Sequence, residues 1–249
     1  MPFVDIIAAC EKGDLDQLRK WKRQGVDLFF SGRLLCIAVL YGSLDVLRCV
    51  VQELGADVNV ADEANFTAFF AAAQQGKLAA LRCLVDEFGA DINQTWRDGA
   101  SALHPAANSG HLDVVRYLVK ELGADINQAG TTGVTPLISA SMGKQADVVR
   151  WLVKEGADPQ ASLLLEGNLV TAADFSREMD ASPEQTAYLE AKMHCSNPDC
   201  GGAGQHKCQG CFQARYCGQA CQLAHWKAHK ADCKRWSAEL AAGAGSEKK

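Results

Sequence analysis

The chain has 249 residues, 48% of them hydrophobic and 22% charged, with a formal net charge of −5. That balance excludes a disordered polyelectrolyte, and the length allows one large domain or two unequal ones. No stretch approaches the ~20 apolar residues of a membrane span, and "MPFVDIIAACEKGD" lacks the basic start and long apolar run of a secretory signal, so a cytoplasmic or nuclear protein is expected.

Internal markers recur through the first two thirds. "ELGADVN" (53–59), "EFGADIN" (87–93), "ELGADIN" (121–127) and "EGADP" (155–159) place Asp57, Asp91, Asp125 and Asp158 at spacings of 34, 34 and 33. Gly42, Gly76, Gly110 and Gly143 repeat with the same spacings. Between the markers lie apolar residues at helical spacing, as in "LDVLRCVV" (44–51), "LDVVRYLV" (112–119) and "ADVVRWLV" (146–153). Each unit reads as a short helix, a glycine-containing turn, a longer helix and a Gly-Ala-Asp stop, with the glycines supplying the positive-φ residues. One such helix pair cannot bury its own apolar face, so stacking and capped ends are required.

These residues resemble an ankyrin-repeat array. The match is direct in "DGASALHPAANSGHLDVVRYLVKELGADIN" (98–127) and "TGVTPLISASMGKQADVVRWLVKEGADP" (132–159), and looser over 64–93 and 33–59. Residues 4–28 resemble a truncated N-terminal cap; 168–193 resemble a degenerate closing repeat with a connecting helix. Only one unit keeps Thr-Pro-Leu (135–137), and Ile138 replaces its usual histidine. The resemblance implies an array over 3–180, about five units plus degenerate caps, with a helical connector at 181–194. It also implies a concave partner-binding face of hairpin tips and inner helices: Tyr41, Gln74, Gln75, Trp96, Arg97, Asn108, Ser109 and Met142. Trp96 and Arg97 are residue types enriched at binding hot spots; the alternative for Trp96 is packing on the neighbouring hairpin. Cys49 and Cys83 share one repeat position with Tyr117 and Trp151, which favours packing over redox chemistry. His104 and His111 fall where such repeats carry structural histidines.

Composition changes at residue 194. Four cysteines (Cys10, Cys36, Cys49, Cys83) are scattered before it, and seven lie between Cys195 and Cys233. A dense cluster without a secretory signal reads as metal ligands rather than disulfides. Residues 1–193 hold 17 Lys+Arg against 26 Asp+Glu, a net of −9, whereas 194–249 hold 8 against 4, a net of +4. Seven thiolates holding two Zn²⁺ would lower the tail to about +1, which weakens a nucleic-acid reading.

The candidate ligands are Cys195, Cys200, Cys208, Cys211, Cys217, Cys221, His229 and Cys233, enough for two four-coordinate zinc sites. On one continuous helix Cys221 and Cys233 would stand about 18 Å apart, too far for a single ion with bonds of about 2.0–2.3 Å. Cys217/Cys221 and His229/Cys233 therefore belong to different ions, which leaves an interleaved or a nested pairing. Here the tail resembles the MYND zinc finger, six cysteines followed by one histidine and one cysteine, carried by "ARYCGQACQLAHWKAHKADC" (214–233). The resemblance implies interleaved binding, with Cys195, Cys200, Cys217 and Cys221 on one zinc and Cys208, Cys211, His229 and Cys233 on the other. The first pair departs from the family in being separated by four residues. RING and PHD fingers place their histidine earlier.

Full ligand sets make the zinc structural, since a catalytic ion keeps an open position. His225-Trp-Lys-Ala-His229 has metalloprotease spacing but carries Trp226 where the base Glu belongs; His225 reads as a packing residue. MYND fingers capture short proline-containing peptides, which implies a site at Gln222 and Trp226 with Tyr216 nearby and Gln209 at a further pocket position. The alternative for Trp226 is burial against its own zinc core. "AAGAGSEKK" (241–249) is expected to be a disordered tail.

The fold class is therefore mainly α, an ankyrin-repeat solenoid of helix pairs with short β-hairpin loops followed by a small two-zinc MYND finger over 195–233. The expected function is a non-enzymatic protein-interaction scaffold: the concave face binds a protein and the finger binds a proline-containing peptide. The alternative is a regulatory subunit or nucleic-acid-associated adaptor using the basic zinc-finger helix. An enzyme is not expected, because no sequence is left for a catalytic domain.

Overall fold

The computed structural model describes residues 3–25, 33–41, 43–62, 65–96, 98–165, 168–193, 206–207 and 215–216. The chain divides into two compact units, Met1–Phe175 and Ser176–Lys249.

The first unit opens with α1 (Phe3–Lys12) and α2 (Leu15–Arg23), the latter begun by Asp14, whose carboxylate accepts from the Gln17 N–H at 3.0 Å. Four helix pairs follow, each made of an inner and an outer helix. The inner helices are α3 (Arg33–Tyr41), α5 (Ala68–Gln74), α7 (Leu103–Ser109) and α9 (Pro136–Met142). The outer ones begin as α4 (Leu44–Arg48), α6 (Leu78–Arg82), α8 (Leu112–Arg116) and α10 (Ala146–Glu155). The bodies of the inner helices are buried all round, their C-terminal ends exposed: every residue from Ala68 to Ala73 is at most 3% exposed. Small side chains suit a helix covered by a neighbour on each side. Outer helices are amphipathic; in α8 Val114 and Val115 are buried while Asp113 and Arg116 face water. Each buried Leu or Val contributes roughly 1.5–3 kcal/mol.

The first three outer helices differ from the fourth at their ends. They continue as one π-helical turn, Cys49–Glu53, Cys83–Glu87 and Tyr117–Glu121, whereas α10 stays α-helical to Glu155. The cause is one extra residue: "ELGAD" or "EFGAD" in the first three units against "EGAD" in the fourth. Leu54 N–H reaches back five residues to Cys49 O (3.0 Å), as Leu122 N–H does to Tyr117 O (3.1 Å). Closure behind the glycine is widened by the same residue. Ala56, Ala90 and Ala124 bond the carbonyls of Val50, Leu84 and Leu118, six back, while Ala157 bonds Leu152, five back. A π-turn absorbs an inserted residue without rotating the helix body off its buried stripe.

Of the described turn glycines at this repeat position, Gly76 is left-handed at φ +67° and one departs from the expected geometry; Gly42 lies outside the described residues. Gly110 has φ +83°, but Gly143 is right-handed at φ −77°, and the left-handed residue of that turn is Lys144 at φ +59°. The expectation that Gly143 supplies the positive φ is corrected. Counted from the helix bodies, Lys144 is the residue 34 after Gly110. Gly143 answers a different constraint, since a Cβ there would lie 1.9 Å from Asn108 O.

Charge pairs link successive outer helices: Arg19 to Glu53 at 2.6 Å, Arg48 to Glu87 at 2.7 Å, Arg82 to Glu121 at 2.7 Å, and Lys120 to Glu155. The Arg82 guanidinium also lies 4.5 Å from the centre of the Tyr117 ring. After α10 comes a hairpin of β1 (Ser162–Leu165) and β2 (Asn168–Thr171), with Leu163 opposite Val170 on its buried face. Thr171 accepts from the Asp174 N–H and opens α11 (Ala172–Glu178).

In the second unit the last turn of α11 is joined to α12 (Pro183–Met193) by Arg177–Glu190 at 2.6 Å and Ser176–Thr186 at 2.8 Å. Of the cysteine-rich segment, the described residues are a two-stranded antiparallel ribbon, β3 (His206–Lys207) and β4 (Arg215–Tyr216), pairing His206 with Tyr216. No described helix is long and apolar enough to cross a membrane.

Candidate functional site

Hairpins between the repeats project beyond the inner helices. In one of them Trp96 N–H bonds Ala100 O at 2.9 Å and Gly99 N–H bonds Trp96 O at 2.8 Å; in the next, Gly130 N–H bonds Val134 O at 2.9 Å. Thr131 N–H donates to Asp98 O at 2.6 Å and ties the two together. Gly130 has no room for a side chain, since a Cβ would stand 2.8 Å from Asp98 O.

Under these hairpins runs an open groove of about 290 Å³. Gln74 lines it from α5, Trp96 and Asp98 from the hairpin, Asn108 from α7, and Ser139 and Met142 from α9. Gln74, Asn108 and Met142 stand 34 residues apart, one register row across three repeats. The next unit holds the first two of them. His111 Nε2 bonds Gln74 O at 3.1 Å; Gln145, 34 residues on, donates to Asn108 O at 3.1 Å; Asn108 Nδ2 donates to Ser139 O at 3.1 Å. The row therefore projects from a fixed scaffold.

Trp96 serves both roles that its sequence position left open. Its ring packs against Phe66 and Phe70, with centroids 5.5 and 6.4 Å away, and it also lines the groove. Met142 is 37% exposed, and Gln75 and Ser109 are exposed on the same helix ends. Tyr41 is 49% exposed at the end of α3 and does not line this groove. Arg97 lies outside the described residues.

His104 is structural. Ser101 N–H, which can only donate, lies 3.1 Å from Nδ1, so the ring proton sits on Nε2 and is donated to Val134 O at 3.1 Å. Burial lowers its pKa below the ordinary 6.5, partly opposed by the bonds to Val134 and Ser101. The four array cysteines are buried free thiols. Burial pushes Cys10 up to about 11, Cys36 to about 12 and Cys83 to about 11, so they are protonated and unreactive at neutral pH. Among the described residues no group of three or more His, Cys, Asp or Glu could hold a metal ion. Cys195, Cys200, Cys208, Cys211, Cys217, Cys221, His229 and Cys233 lie outside the described residues, as do Gln222 and Trp226; Tyr216 is placed only by its backbone in β4.

A stack of helix pairs with projecting hairpins and a fixed groove, joined to a cysteine-rich segment, defines a protein-interaction architecture. The family model for ankyrin repeats (3 copies) matches residues 6–96 and 88–162, and the chain belongs to the ankyrin-repeat family. The MYND finger model matches residues 193–233, which makes the C-terminal segment a zinc-binding finger. Both are non-catalytic interaction modules. A search of curated proteins finds no match to the chain.

Proposed function

We propose that the protein is a two-module, non-enzymatic scaffold whose ankyrin groove holds one protein partner while its zinc finger holds a short proline-containing peptide of another. The observation that carries this reading is the row Gln74–Asn108–Met142. Three positions 34 residues apart line one groove, and two of them, Gln74 and Asn108, are anchored through their backbone carbonyls to the next repeat.

Two structural zinc ions would be held by Cys195, Cys200, Cys217 and Cys221 and by Cys208, Cys211, His229 and Cys233. Seven thiols and one imidazole are a donor set suited to closed tetrahedral zinc. The ribbon of His206–Lys207 with Arg215–Tyr216 supports the fit, because a hairpin of two-residue strands is too small to persist alone and needs a cross-link. Zinc supplies that cross-link, and Gln222 and Trp226 would flank the peptide's proline.

The test is affinity capture with full-length protein, Trp226→Ala and residues 1–193, together with metal analysis of the purified chain. Two zinc per chain are expected, with one set of partners lost by both changes and a separate set still captured by residues 1–193. A zinc content clearly below two overturns the ligand assignment, and partner sets unaffected by either change overturn the two-module reading.

A further inference from the structure

Resting on the reading of the groove as a protein-binding surface, we infer that its occupant is an extended segment in which Lys or Arg stands within two positions of a large aliphatic or aromatic residue. The groove joins three kinds of surface. The exposed face of Trp96 and the side chain of Met142, 37% exposed, form an apolar slot. Asp98 presents a carboxylate: Oδ1 accepts the Ala100 N–H at 3.1 Å, and the other oxygen has no partner among the described residues. Gln74 keeps its whole side-chain amide without a partner among the described residues, and Asn108, whose Nδ2 is taken by Ser139 O, keeps its Oδ1.

Each surface selects one property of the occupant. Free amide donors and acceptors satisfy the backbone N–H and C=O groups of an extended segment, which a folded helix would already have used internally. The slot takes one large apolar side chain. Trp96 and Asp98 belong to one tight turn, closed by Gly99 N–H on Trp96 O at 2.8 Å, and both line the groove. Side chains two apart on an extended occupant line one face about 7 Å apart. A cation near the apolar anchor therefore meets Asp98. Among the described residues no Lys or Arg lines the groove, and residues 1–193 carry a net of −9. The Asp98 carboxylate and the net acidity of the array disfavour an acidic segment or a nucleic-acid backbone. At about 290 Å³ and open to solvent, the groove falls at the small end for an enclosed ligand site and suits side chains of a longer polymer.

The probe is a random peptide library displayed on phage, panned against the full chain, with representative peptides then measured by fluorescence anisotropy. Peptides insensitive to Trp226→Ala are expected to carry Lys or Arg within two positions of Leu, Ile, Met or Phe. Asp98→Asn keeps the acceptor for the Ala100 N–H and removes the charge. It should weaken those peptides two- to five-fold at low salt, an effect that disappears at high salt, as for an exposed ion pair. Met142→Glu should weaken them ten-fold or more at all salt concentrations. Peptides that depend on Met142 but show no basic preference, or an acidic one, overturn this inference and leave the groove a protein-binding surface. If every selected peptide is insensitive to both groove substitutions, or none binds apart from those lost with Trp226→Ala, the inference and the reading of the concave face fall together.

Discussion

Lys144 occupies the left-handed backbone position that Gly110 occupies one repeat earlier, with φ +59° against +83°. The glycine of the fourth turn has moved one residue toward the N-terminus, to Gly143, where Asn108 O leaves no space for a Cβ. One residue thus answers a steric demand and its neighbour bears the dihedral strain.

Replacing Lys144 with glycine should therefore stabilise the protein. Left-handed backbone costs a side-chain-bearing residue roughly 1–2 kcal/mol, and glycine returns roughly 0.4–1 kcal/mol of that through its freer unfolded chain. A net gain of about 0.5–1 kcal/mol is expected in urea unfolding. Gly143→Ala should lose at least about 2 kcal/mol, because its Cβ would meet backbone and not a movable side chain. A loss of stability in Lys144→Gly would contradict the strain argument.

Deleting Leu122 converts the third stop, "KELGAD", into the "KEGAD" of the fourth unit. The π-turn at Tyr117–Glu121 should then close as ordinary α-helix, with Ala124 bonding five residues back as Ala157 does. The deletion should keep a single cooperative melt with a loss within ~2 kcal/mol. Deleting Val115, inside the helix body, rotates every following buried residue and should abolish cooperative unfolding. Equal damage from the two deletions would show that the π-turn is not an absorbed insertion.

His104 gives the array a pH dependence of definite sign. Its folded pKa lies below the 6.5 of the free side chain, so below pH 6.5 the unfolded chain binds a proton that the folded chain refuses. Its stabilisation is complete above that value and declines as pH falls through 6.5 toward the lowered folded value. Urea midpoints at about pH 7 and pH 5 should differ more in wild type than in His104→Gln. The variant should also start about 1–3 kcal/mol less stable at neutral pH, through the lost bond to Val134. An equal pH slope in both proteins would remove His104 as the titrating group.

The outer-helix ion pairs should contribute little singly. Arg82 and Glu121 are 44% and 52% exposed, and such pairs contribute about 0.2–1 kcal/mol, screened by salt. Arg82→Ala should nonetheless cost more than Arg48→Ala, by about 0.5–1 kcal/mol, because Arg82 also lies over Tyr117 whereas Cys83 holds that position above Arg48. Thermal melts with and without added salt separate the two contributions. Equal losses for both arginines at high salt would refute the ring contribution.

Much of this protein is legible in the order of its residues. Identical markers at a fixed interval are enough to define stacked helix pairs, because each unit has the same unburied stripe and only a copy of itself matches it. "RLLCIAVL" and "TAFFAAAQQ" show which helix of each pair is inner, through small or apolar side chains on every face. The dense cysteines of the tail point to a metal-binding segment, and the match of the MYND finger model to 193–233 makes that metal zinc. The positions Gln74, Trp96, Asn108 and Met142 were accessible from their place in the repeat.

What the sequence determined by itself is therefore periodic or chemical: the repeat period, the inner and outer helices of each unit, the metal-binding character of the tail. What only the tertiary structure decided is local and depends on a neighbour one repeat away. Whether Gly143 or Lys144 turns left-handed is settled by Asn108 O, one repeat upstream. Whether Trp96 packs or faces the groove is settled by Phe66 and Phe70, which cover one part of its ring and leave another open. A repeat marker records that a turn occurs; which atom crowds it, and which amide stays unpaired, follows only once adjacent repeats are in contact.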